Sequence, residues 1–145
     1  MKRFHFPLER VRRWRSEQAR IEELKLEQLV ERVTRLREEK RGIESARANA
    51  EQQVLCQASI EASELASLEA YRLHVRNKIR DINGRTRQAE MAAEQQRQRL
   101  IQARRDAELL ERLKRKALGE WQTASNREQE TLATELYLAK HARQR

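Results

Sequence analysis

The sequence predicts an all-α protein, an antiparallel two-helix coiled-coil hairpin. Three observations carry that expectation: helix breakers are nearly absent, apolar residues recur in alternating steps of three and four, and both registers stop near residue 60. Three glycines and one proline in 145 residues cannot punctuate a fold of many elements. Ala, Glu, Leu, Arg, Lys and Gln, all good helix formers, dominate. Strand-like alternation is absent, and the periodicity argues against bulk disorder although 38% of the residues are charged.

Taken in order, the first helix is expected over about 7–57. Pro7 pre-sets the first helical position and Glu9 suits the positive end of the helix. Its apolar pattern falls into two stretches. Val11, Trp14, Gln18 and Ile21 form one; Leu29, Val33, Leu36, Lys40, Ile43, Arg47, Ala50 and Val54 form the other, displaced by one residue near Leu24–Leu26. Gly42 weakens this arm without breaking it.

The turn is expected over about 57–66, in "QASIEASELAS", where Ser59, Ser63 and Ser67 can cap a helix and Glu61 and Glu64 favour its start. Asn83-Gly84 is the stronger turn dipeptide by local chemistry, and one unbroken helix is a third possibility. Yet Ile79 and Ile82 keep register with Ala89 and Ala93 across that dipeptide. The second helix is expected over about 64–141. Its seam runs Leu65, Leu68, Arg72, Val75, Ile79, Ile82, Thr86, Ala89, Ala93, Gln96, Leu100, Ala103, Ala107, Leu110, Lys114, Ala117, Trp121 and Ala124; all but Arg72, Thr86, Gln96 and Lys114 are apolar. Such a 3.5-residue repeat is the signature of a coiled coil. Beyond Ala124 the apolar residues move to Leu132, Leu136 and Tyr137. The whole of 1–145 then forms one hairpin whose longer second arm overhangs.

A hairpin of that kind gathers Phe4, Phe6, Trp14, Trp121 and Tyr137 at its open end and leaves Tyr71 near the turn. Two packed helices cannot fully cover five large rings. The rings either clasp the frayed end or form a docking surface for another protein.

The remaining chemistry is mostly excluded. His5, His74 and His141 are scattered and show no metal spacing with Cys56, no phosphate-cradling glycine loop appears, and a two-helix rod offers no cavity for catalysis. No catalytic residue, metal, cofactor or small-molecule substrate is expected. Charges at Glu9, Arg10, Arg12 and Arg13 interrupt any secretory apolar run, no membrane span is present, and a single cysteine permits no internal disulfide, which together predict a cytoplasmic protein. The net charge of +9 suits an acidic protein, an anionic membrane surface or nucleic acid. Nucleic-acid binding is disfavoured because acidic residues accompany the basic clusters at helical spacing: Glu9 with Arg13, Glu108 with Arg112, Glu111 with Arg115.

Both ends carry a family resemblance. "FHFPLERVRRWR" (4–15) resembles the opening of the flagellar export protein FliJ family, and "ELLERLKRKALGEWQTASNREQETLATELYLAKHA" (108–142) is similar to its C-terminal block. The middle matches only as generic coiled coil. The resemblance implies a hairpin like the rotor stalk of F-type ATPases, and a non-enzymatic part of the flagellar type III export apparatus. Implied partners are the hexameric export ATPase, a membrane export-gate protein and export chaperones, with peripheral association at the inner face of the cell membrane. On that reading Phe4, Phe6, Leu8, Val11, Trp14, Trp121, Leu132, Leu136 and Tyr137 face the ATPase ring, and Leu55, Leu68, Tyr71 and Val75 face the gate. A scaffold or chaperone-escort protein of a virulence secretion system shares the architecture. A basic coiled-coil nucleic-acid binder is a further alternative.

Overall fold

The computed structural model describes residues 3–143. It contains two helices packed against each other, α1 (Glu9–Leu55, 47 residues) and α2 (Ala62–Arg143, 82 residues), and no strand among the described residues. None of these helices is long and apolar enough to cross a membrane. The chain folds as two compact units. A turn unit spans Ile21–Leu100, and a terminal unit joins the chain up to Arg20 with the chain from Ile101 onward.

α1 starts two residues later than Pro7. The Phe6 carbonyl accepts from the Glu9 amide at 3.2 Å and the Leu8 carbonyl from the Arg12 amide at 2.8 Å. Leu8 is therefore the residue that opens the helical ladder, and Pro7 belongs to the turn before it. α1 ends at Leu55 without a glycine, its last bonds running from Cys56 to Gln52 and from Gln57 to Val54.

α2 opens at Ala62, and acid rather than serine caps it. The Glu64 carboxylate accepts from the Glu61 amide at 3.1 Å, while the Glu61 carbonyl accepts from the amides of Glu64 and Leu65. This is the backward half of a capping box. Ser63 and Ser67 spend their hydroxyls elsewhere, Ser63 on the Glu61 carboxylate and Ser67 on the Ser63 carbonyl. The reversal occupies 56–61, and Asn83-Gly84 lies inside α2. The intact register across that dipeptide outweighs its local turn preference.

The α2 seam packs from Leu68 onward, while Leu65, the first expected seam position, is exposed at 45%. Leu68, Val75, Ile82, Ala89, Ala93, Gln96 and Leu100 are buried, and Arg72, Ile79 and Thr86 half-buried. In the turn unit Val33, Leu36 and Ala89 form a contiguous core cluster. Every polar seam position has a partner. Arg72 donates to Glu51 at 2.9 Å, Thr86 to the Ile82 carbonyl at 2.8 Å, Gln96 to the Glu22 carbonyl at 3.0 Å, and Lys114 meets Glu9 at 3.0 Å.

The first half of α1 departs from expectation. Its inward positions run back from Val54 through Ala50, Arg47, Ile43, Lys40, Leu36, Val33 and Leu29 to Leu26, Glu22, Ala19, Arg15 and Arg12, each buried or half-buried. That is one unbroken alternation of threes and fours, with no displacement near Leu24–Leu26. Val11, Trp14 and Ile21 are exposed, and of that stretch only Gln18 is half-buried. The inner line was hidden because charged residues occupy it: Arg12 and Arg15 pair with Glu111 and Asp106 of α2, and Glu22 accepts from the Gln96 amide.

Candidate docking surfaces

The terminal unit brings the first residues of the chain against the later part of α2. Phe6 is buried at 7% exposure, and the Phe4 and Trp121 rings lie 5.9 Å apart between centroids, tilted by 57°. This spacing is typical of favourable ring pairs. The Phe4–Trp121 pair forms a clasp between the first residues and α2, and Phe6 is buried. Leu8, Val11 and Trp14 stand outside it, exposed, with the Arg15 guanidinium 4.9 Å above the Trp14 ring. The nine aromatic and apolar residues expected at the open end thus divide between a clasp and a surface.

Every residue from 126 to 143 is exposed. Leu132, Leu136 and Tyr137 project there as expected, the largest exposure being 71% at Leu136. Tyr137 also stacks edge-on with His141, whose ring nitrogen lies 2.9 Å from its hydroxyl. Leu138 is equally exposed and was missed. Leu109 and Leu113, spaced by one helical turn and also exposed, were missed because they lie off the α2 seam. Ser125 is buried where Ala124 was expected, so the inward line steps by four after Trp121.

An ionic network lies behind the clasp. Glu9 bonds Arg12 at 2.7 Å, Arg13 at 3.3 Å and Lys114 at 3.0 Å. Arg12 also reaches Glu111, and Arg15 meets Asp106 at 3.0 Å. The Arg12 and Lys114 cations hold the Glu9 carboxyl down from 4.5 to about 2. Glu9 and Glu111 in turn raise the Arg12 guanidinium further above its ordinary value. The expected Glu108–Arg112 pair is present at 2.6 Å. Glu111, by contrast, turns across to Arg12, since a partner on the facing helix brings a half-buried arginine its counter-charge.

At the turn, Leu55 is exposed and Tyr71 half-buried, but Leu68 and Val75 are core residues at 5% and 2% exposure. Their side chains face the helix–helix seam rather than a docking face. Beside them Ala50, Val54, Ser63, Glu64, Ser67, Leu68 and Tyr71 line an open groove of about 340 Å³. Cys56 is exposed nearby. Among the described residues no group of His, Cys, Asp and Glu could hold a metal ion, and every buried side-chain nitrogen and oxygen has a partner. Comparison with protein-family models, with curated proteins and with solved structures finds no match to this chain.

Proposed function

We propose that the protein is a non-enzymatic stalk or coupling component of a flagellar type III export apparatus. It binds the hexameric export ATPase through its terminal unit, and meets a membrane export gate and export chaperones through its turn. The observation that carries this reading is the end of α2. From 126 to 143 a helix stands with every side chain exposed, presenting Leu132, Leu136 and Tyr137. Apolar residues on an uncovered helix favour docking into another protein. The resemblance of both chain ends to the FliJ family supplies the partner. For the turn, Leu55, Tyr71 and the groove beside them are the accessible features. Nucleic-acid binding loses support, because Arg12, Arg15 and Lys114 are half-buried and engaged by carboxylates.

The test is ATP hydrolysis by the cognate export ATPase with the chain added below stoichiometry. Wild type should raise the rate. Leu132→Glu with Leu136→Glu, both at exposed positions, should cut the effect about tenfold, the loss of about 1.4 kcal/mol of binding, with helicity unchanged. An ATPase indifferent to the wild-type chain would refute the proposal.

A further inference from the structure

The two units hold their helix pairs together by different chemistry. In the turn unit the facing side chains are chiefly apolar and many are buried, among them Leu36, Val75 and Ile82 at 4%, 2% and 2% exposure. In the terminal unit, the stretch from Glu9 to Arg20 contains no buried residue, nor does the facing stretch from Ile101 to Trp121. What meets there is charge: Arg12 with Glu111, Arg15 with Asp106, and Lys114 with Glu9. Beside these, Ala19, Ala103, Ala107 and Ala117 have little apolar surface to contribute, and Leu110 and Leu118 are only half-buried. The Phe4–Trp121 clasp closes the far end. Ion pairs this accessible contribute little net free energy and lose it to added salt. Segments with few buried apolar contacts open locally before the rest of a fold does.

We propose that the terminal unit is a salt-latched clamp, in which the α1 and α2 segments part reversibly while those of the turn unit stay zipped. The inference is independent of the export reading, since it rests only on the side chains between the helices. Opening is a property of the isolated chain and requires no ligand.

The test is amide hydrogen exchange of the full chain in low salt and in about 1 M NaCl, where the screening length falls to about 3 Å. Amides of 9–20 should exchange at least about tenfold faster than those of 33–50, and salt should widen the gap several-fold. Arg12→Leu with Glu111→Leu, which replaces one of the three ionic contacts by an apolar one, should slow exchange of 9–20 about tenfold and weaken its salt dependence. Lys114→Glu, which sets like charges together, should accelerate it. Equal protection of the two segments would overturn the proposal. So would fast exchange at 9–20 unmoved by salt and by either variant, because that is ordinary fraying of a chain end.

Discussion

Glu9 is the meeting point of charges from both helices. It opens α1, favours the positive end of that helix, and draws together Arg12 and Arg13 on its own helix and Lys114 on the other. Its folded carboxyl lies near 2 and its unfolded one near 4.5. The stabilisation is therefore complete above about pH 4.5 and drains away as pH falls toward 2. Glu22, lowered by Lys25 and then Gln96, and Glu51, lowered by Arg47 and then Arg72, act in the same direction. Wild type should melt above Glu9→Gln at neutral pH, with the difference shrinking steadily between pH 4.5 and 2 when followed by helical circular dichroism. A difference independent of pH would remove Glu9 from this role. The ring residues divide just as sharply, with Phe6 buried and Trp14 exposed. Nothing in the local sequence distinguishes those fates. They depend on which α2 residue lies opposite.

The α2 element was legible because its inner line is mostly apolar from Leu68 to Trp121, so counting apolar residues traced the face that packs. The same counting misled in the first half of α1. There Arg12, Arg15 and Glu22 hold the inward positions, and the apolar residues Val11, Trp14 and Ile21 form a decoy stripe on the outside. Recognising a complementary charge on a segment about a hundred residues away would have revealed it, and local periodicity holds no such information. The reversal at 56–61 falls where both registers fail. Its caps were misread, since Glu61 and Glu64 compete successfully with nearby serines. Among the residues expected to dock, Leu132, Leu136 and Tyr137 are exposed on α2. Leu68 and Val75 were in fact seam positions and so belong to the core. Gly84 offers a test at this scale. It lies within α2, and an added Cβ would meet nothing within 4 Å. Gly84→Ala should therefore stabilise the protein by up to about 1 kcal/mol through helix propensity. Destabilisation would indicate that the helix breaks at Asn83-Gly84 after all.

For the whole molecule, one reversal at 56–61 decides what lies beside what. It sets Val33 and Leu36 against Ala89 in one unit, and Arg12 against Glu111 and Phe4 against Trp121 in the other. Apolar packing secures the first set of contacts, and charge with a ring clasp secures the second. On the proposed role that division is useful, since segments held least tightly are the ones free to exchange contacts with a partner. The proposed export role rests on the same reversal, because it brings the chain's beginning against α2's later part. Spin labels at Arg10 and Arg115 on a Cys56→Ser background, diluted with unlabelled chain at low salt, test this most directly. Packed helices stand about 8–10 Å apart, so the labels should lie within about 30 Å of each other. A continuous helix would separate them by roughly 150 Å, and any such long distance within one molecule would contradict the hairpin.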